Sequence, residues 1–498
     1  MEHATLAQVA ALVGALGAVL VLVPRGRFLV VVGLALLGAA TGALAVSLVG
    51  VDDLELLVEQ PLALAGLALG VCAIVAGAAA LVRYPGATPV VLLLAAPFRV
   101  PVELGEEEAF LLLPLYAVLA AAVLALAVRM LRGEHPPAVP FLLALPLTAF
   151  VTFASVSFLW TWDDRAGGIV LAFFLFPFVA GLGVVARAPL ESWLPRALVA
   201  TLVGLGSLFA AIGIWQAQTR TLFFARDVEV ANAYTSFFRV TSLFKDPSLY
   251  GRYVVLPIVV LLVVLLARRL RPAVWILLAG VVALLFVGLF FSYSQSSFVA
   301  LFVTAAAIAF VAGDRRSRVV LLACAVAATL AAGAYAATAF EGRSARDVTS
   351  GRSRLVDITY EAFRLRPVAG VGIGGQPAAS AEANGRRSPR RNASHTTPLT
   401  VLAELGVVGF LLYGWMLAAI AWALVRVSRV EHALALGLAA VLSVLFVHSL
   451  LYAGFFEDPL TWGAIGLAAG LLVRVPAPAE DTAVASQGRP ASPRVLAH

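Results

Sequence analysis

Apolar residues run in long blocks, separated by short polar turns, along nearly the whole chain. The blocks fall near 5–23, 28–49, 61–82, 88–104, 109–128, 139–160, 168–186, 197–215, 253–267, 273–292, 296–312, 319–339, 398–425, 433–453 and 460–473. A helix of about 20 apolar residues spans a bilayer, so these fifteen runs predict about 12–15 transmembrane helices. In lipid every backbone polar group needs an internal partner, which excludes an open sheet. The expected fold is therefore an all-α polytopic membrane protein. The run 88–104 is the weakest span because it contains Pro97 and Pro101.

Charge fixes an orientation. Arg25/Arg27, Arg83, Arg129/Arg132, Arg187/Arg196, Arg268/Arg269/Arg271, Arg315/Arg316/Arg318, Arg426/Arg429 and Arg474 mark every second connection. Between them come Asp52/Asp53/Glu55, Glu106/Glu107/Glu108, Asp163/Asp164 and Glu457/Asp458. The positive-inside rule puts the arginines in the cytoplasm and the acidic set outside. The alternation holds only if 88–104 crosses. It predicts an outside N-terminus, an inside C-terminus and two long outer loops, Gln216–Arg252 and Phe340–Thr397. The organisation expected is a bundle over 1–339, an extracytoplasmic catalytic loop over 340–397, further membrane helices over 398–474 and a disordered cytoplasmic tail over 475–498. Thr5–Val23 has no basic leading segment and reads as a first membrane helix, not a cleaved signal.

Composition agrees: 62% of the 498 residues are hydrophobic, 13% are charged, and mean hydropathy is +0.98. The net charge of +7 does not point to nucleic acid, because arginine at membrane edges sets topology and meets anionic headgroups. Cys72 and Cys324 lie in separate apolar runs, which argues against a disulfide or a metal site.

The loop 340–397 is too long and too charged for a simple connector, with ten arginines and five acidic residues. Leu355, Ile358, Ala362 and Phe363 share one face of a helix over Ser353–Arg366. Arg352, Arg354, Arg364 and Arg366 flank it, either as snorkelling membrane contacts or as phosphate ligands, for which a guanidinium fork is well shaped. Gly370–Gly375 (GVGIGG) fits a dinucleotide fingerprint in form only, since no strand precedes it; it reads as a tight re-entry of backbone toward the membrane. The stretch 378–391 reads as small, basic and mobile. In the earlier loop, Arg239 is a candidate anion ligand, and Lys245-Asp246-Pro247 reads as a turn with Asp246 at the start of the next helix. Of six histidines, His395 alone lies in a long outer loop, while His448 lies within a membrane run. Histidine can act as a base at neutral pH, and nearby arginines and a helix start both disfavour its imidazolium.

These residues resemble a family. SGRSRL, RPVAGVGIGG and SHTTPLTVLAELGVVGFLLY, within 350–413, look like the outer loop of the O-antigen ligase/polymerase superfamily. FFRVTSLFKDPSLYGRYVVLPIVV at 237–260 is similar to its upstream arginine motif, and 157–168 and 292–301 also look similar to family segments. The resemblance implies a metal-independent, inverting membrane glycosyltransferase without cofactors, in the plasma membrane with its catalytic loop outside. Its implied partners are an undecaprenyl-diphosphate-linked glycan donor, a glycan or lipid-glycan acceptor and membrane lipid. Carried over by motif, His395 would serve the acceptor hydroxyl, and Arg239 and Arg352, with Arg354 beside them, would bind the diphosphate. Lys245, Asp246, Gln295 and His448 would support the site from behind. Gln295 stands where the family often has arginine, and Thr396 follows His395 where it often has asparagine.

Two other classes remain open at this stage. A transporter or flippase of lipid-linked oligosaccharides would place charges near the bilayer midplane, whereas here they collect at one surface. A scaffold role has no positive sign in the sequence. Ligase and polymerase need the same donor site and are not separated.

Overall fold

The computed structural model describes residues 2–49, 61–104, 107–235, 237–267, 270–313, 315, 318–319, 352–385, 393–452 and 454–475. The run 319–339, apart from its first residue, and the tail 476–498 lie outside them. Among the described residues, twelve helices are long and apolar enough to cross a membrane, and Pro85–Ala95 and Pro459–Leu472 are shorter apolar helices.

In chain order the helices are α1 (Glu2–Leu22), α2 (Arg27–Val49), α3 (Pro61–Arg83), α4 (Thr88–Ala95), α5 (Leu113–Leu131), α6 (Phe141–Val156) and α7 (Asp164–Ala186). They continue with α8 (Leu194–Thr219), α9 (Arg226–Asn232), α10 (Pro247–Ala267), α11 (Pro272–Phe290) and α12 (Gln295–Ala312). The last five are α13 (Arg352–Leu365), α14 (Gln376–Ala383), α15 (Thr397–Ser428), α16 (His432–Ser449) and α17 (Pro459–Leu472).

The run 88–104 is not one spanning helix. It divides into α4 and a strand, β1 (Val100–Leu104), which pairs antiparallel with β2 (Glu107–Leu111), Val100 opposite Leu111 and Glu103 opposite Glu108. Proline contributes to the break: Pro97 and Pro101 donate no N–H, and Val100, the residue before Pro101, is extended, while Ala96 before Pro97 still has helical angles. The run 109–128 begins in β2 and continues as α5, and the other apolar runs within the described residues are helical, as their composition predicts.

Several helices start before their apolar runs. α10 begins at Pro247, six residues ahead of the apolar run, because Asp246 Oδ1 accepts from the Ser248 and Leu249 N–H groups at 2.6 and 3.2 Å. Asp458 likewise caps α17 by accepting from Leu460 N at 2.9 Å. Such caps let a polar first turn stay helical where it packs on protein.

The amphipathic face predicted around 353–366 belongs to α13. Ile358, Thr359 and Ala362 are buried, and the helix packs on α14 and α15, not only on lipid. The stretch expected to be mobile from 378 onward begins as α14, in which Ala379, Ser380 and Ala381 are buried; residues 386–392 lie outside the described set.

Candidate active site

The glycine stretch is the keystone of one face of the bundle. α15 breaks at Gly406, whose φ of 64° and ψ of −166° are not helical. The break frees backbone groups that would otherwise pair within the helix. Val371 N and Gly372 N donate to the Ala403 and Glu404 carbonyls at 3.0 and 2.8 Å, and Val407 N and Val408 N donate to the Pro367 and Val368 carbonyls at 2.9 and 3.2 Å. On its other side the stretch meets the turn before α7: Trp162 N donates to Val371 O at 3.1 Å and Thr161 Oγ1 to Ile373 O at 2.8 Å. A Cβ on Gly372 would overlap the Thr161 backbone, and one on Gly406 the Val368 carbonyl. The predicted backbone re-entry is thus a plug in a broken helix.

That plug holds the turn carrying His395. Gln376, at the start of α14, is 1% exposed. Its Oε1 accepts from Ser394 N at 2.9 Å, and its Nε2 donates to Ser380 Oγ at 2.8 Å and Thr359 Oγ1 at 3.3 Å. The next two residues of the turn bond to the segment after α16: Thr396 Oγ1 donates to Leu450 O at 3.2 Å, and Gly454 N donates to Thr397 Oγ1 at 3.3 Å. His395 is exposed on this turn, and its ring stacks on Tyr452 with centroids 6.4 Å apart.

A chain of contacts runs from there to Arg239. Tyr452 meets His448 edge to face at 5.5 Å, and His448 Nε2 lies 3.2 Å from Ser296 Oγ in the first turn of α12. Ser296 Oγ is 3.1 Å from Ser294 Oγ, and Ser294 N donates to Ser292 Oγ at 3.1 Å. Ser292 O in turn accepts from Arg239 Nε at 3.4 Å. Asn232 fixes the Arg239 backbone from both sides, accepting from its N–H and donating to its carbonyl, each at 3.0 Å.

Beneath Tyr452 lies a buried ion pair. Arg252 Nη1 donates to Asp458 Oδ2 at 2.6 Å, and the Arg252 guanidinium sits over the Tyr452 ring at 5.8 Å. Arg252 Nε is buried with no partner among the described residues. Burial, reinforced by the Asp246 charge, pushes the Tyr452 hydroxyl up to about 12, against the pull of Arg252 and Arg99. Burial also raises the Glu457 carboxyl above its usual range, again opposed by Arg252 and Arg99. Glu457 is exposed as a residue and lines a small crevice of about 100 Å³ together with Glu404, Thr397 and Thr400.

Of the residues singled out by sequence, Arg239, Asp246, His395 and His448 come together at this face. Lys245 and Gln295 are exposed, and it is Ser296, next to Gln295, that reaches His448. Arg354 is half-buried on α13, which adjoins through Thr359 and Gln376. Arg352 opens α13, and its side chain lies outside the described set. Sequence reasoning passed over Tyr452, Arg252, Asp458, Glu457, Gln376 and Arg99. Arg252 and Asp458 had only been read as charges flanking apolar runs.

An apolar cleft of about 610 Å³ adjoins the site. Ala96, Pro459 and Leu460 line its near end and Arg196 and Glu431 its far end, so it runs between the helices through most of the bundle. Tyr253 Oη donates to Ala96 O at 3.2 Å, which ties the near end to the helix carrying Arg252.

Residues 280–414 match the family model described as O-antigen ligase. That segment contains Ser292–Ser297, α13, the glycine stretch, His395 and the first half of α15; Arg239, Arg252, Tyr452 and Asp458 lie outside it. No curated protein matches the chain.

Proposed function

We propose that the chain is an O-antigen ligase/polymerase-like protein that transfers a glycan from an undecaprenyl-diphosphate carrier to an acceptor hydroxyl at the outer face of the plasma membrane, a reading supported by the match of residues 280–414 to the O-antigen ligase model. The observation that carries this reading is the linked array from Arg239 through Ser292, Ser296, His448 and Tyr452 to His395. It puts a cation and an accessible imidazole on one surface, beside an apolar cleft.

Each part has a task. His395 accepts the proton of the acceptor hydroxyl as its oxygen attacks the anomeric carbon from the face opposite the diphosphate. The anomeric C–O bond breaks, the electron pair leaves with the diphosphate, and configuration inverts. A base of this kind contributes about 10²–10⁴-fold. Arg239, with Arg352 and Arg354, meets the negative charge that grows on the leaving group, so a fixed guanidinium does the work that a metal would otherwise do. The starts of α10, α12 and α17 also lie at this face, each capped by a side-chain oxygen of Asp246, Ser294 or Asp458. The cleft takes part of the prenyl chain.

The test is reconstitution of the purified protein in proteoliposomes with a defined undecaprenyl-diphosphate-linked oligosaccharide and an acceptor glycan. Release of undecaprenyl diphosphate, with a product linkage of inverted anomeric configuration, is the expected result. His395→Ala should retain donor binding and lose transfer. Movement of the donor across the bilayer without carrier release would overturn the proposal in favour of a transporter.

A further inference from the structure

Tyr452 lies outside the segment matched to the family, yet it is the hub of the site. Its ring makes three contacts. One face stacks on His395 at 6.4 Å with planes 26° apart, His448 meets it edge to face at 5.5 Å, and the Arg252 guanidinium lies 5.8 Å from its centroid. Each neighbour below is itself anchored, Arg252 by Asp458 and His448 by Ser296. Tyr452 N also donates to His448 O at 2.9 Å, which fixes the ring's backbone to the end of α16.

His395 is held differently. Its backbone is clamped on both sides, by Gln376 at Ser394 and by the bonds of Thr396 and Thr397 to the 450–454 turn. Its side chain is exposed and stacks on the Tyr452 ring. A base works only when it stays within hydrogen-bond reach of the proton it takes. The two turns are stapled together so that the imidazole stacks on the tyrosine ring, and that ring is itself anchored.

We propose that Tyr452 is a positioning residue that holds the His395 imidazole in its working orientation by stacking, with Arg252 and His448 fixing the ring from beneath. This rests on the reading of His395 as the base. The ring does the positioning, so the hydroxyl is dispensable for it. The charged and titratable groups facing Tyr452 are Asp246 and Arg252 from α10, Glu457 from its own turn, Arg99 from the connection before β1, and the two histidines.

The experiment uses the full chain in nanodiscs with histidine labelled by ¹³C and ¹⁵N. The His395 ring signal is assigned by its loss in His395→Gln. In wild type it carries the ring-current contribution of the tyrosine ring 6.4 Å away. Tyr452→Leu should move it downfield, and Tyr452→Phe should leave it near the wild-type position. Transfer kinetics on the same samples should show kcat for Tyr452→Leu reduced about 10²-fold, the loss expected from misplacing a reacting group by about 1 Å, with donor KM unchanged. Tyr452→Phe should restore most of that loss, and Tyr452→Leu should add nothing in a His395→Ala background. An unmoved His395 signal in a folded Tyr452→Leu protein overturns the proposal, as does an equal kcat loss in the Phe and Leu variants. Wild-type transfer by His395→Ala alone overturns the base reading instead, and it is read without reference to Tyr452.

Discussion

The Arg252–Asp458 pair joins α10 to the cap of α17, and Asp458→Asn tests what it contributes. The side chains are 5% and 2% exposed and 2.6 Å apart, so water screens them little. Asparagine keeps an oxygen for the Leu460 N–H and so keeps the cap, which is worth about 1 kcal/mol. What it removes is the charge that balances a buried guanidinium. Breaking one partner of a buried pair costs about 3–5 kcal/mol, because the other charge is left uncompensated. Arg252→Leu should cost at least as much, since it also takes away the cation–π contact with Tyr452, worth up to about 2 kcal/mol. Arg252→Leu with Asp458→Asn removes both charges and should recover most of the stability lost by either alone, a coupling of about 3 kcal/mol. Trp462 is a reporter placed for the purpose: it is buried four residues beyond Asp458, and its Nε1 donates to Phe456 O at 2.8 Å. Unfolding of the purified protein followed by tryptophan fluorescence gives the four corners of the cycle. An Asp458→Asn protein as stable as wild type, or a double variant that loses the sum of the single losses, would refute the reasoning.

Three further outcomes are expected. Gly406→Ala should cost more than about 3 kcal/mol and lower the yield of folded protein in a thermal scan, because its backbone region is nearly glycine-only and its Cβ would overlap the Val368 carbonyl. Gly385→Ala is the control: φ there is 61° with nothing within 4 Å, so only the left-handed penalty of about 1–2 kcal/mol should appear. Arg239→Ala should lose transfer at normal membrane levels, and Arg239→Lys should recover only part of it in the carrier-release assay, since an ammonium cannot reproduce the fork. In a cysteine-free background, a cysteine at Ser388 should react with an impermeant thiol reagent in intact cells and one at Ser428 only after lysis; equal labelling of both in intact cells would overturn the orientation.

The helices were legible in the chain because lipid imposes one requirement, a run of apolar residues, and the sequence states it openly. What apolarity does not state is backbone geometry. The run 88–104 meets the lipid requirement in composition, yet Pro97 and Pro101 end the helix and leave a hairpin. Helix starts were obscured for the opposite reason. A polar first turn buried in protein does not look like a membrane segment, so Arg252 was read as the end of a loop although it lies inside α10. The glycines were expected to turn the backbone back toward the membrane, and in the fold they bring it against the backbone of α15 and of the turn before α7. Their partner, the break at Gly406, is a single residue inside an apolar run and carries no signal of its own.

The same physics explains which site residues could be seen. His395, His448 and Arg239 stand out because their residue types are rare where they occur. Tyr452 fell inside the apolar run 433–453 and Glu457 and Asp458 looked like topology markers, and their role depends on α16 ending beside the start of α15, a contact that sequence spacing does not reveal. The caps do carry a signal. Asp163, Asp246, Ser294 and Asp458 each supply a side-chain oxygen to the start of α7, α10, α12 or α17. α15 differs, since Thr396 makes no side-chain cap bond. A helix start without a cap keeps donors and positive dipole unspent, and His395 stands two residues before it.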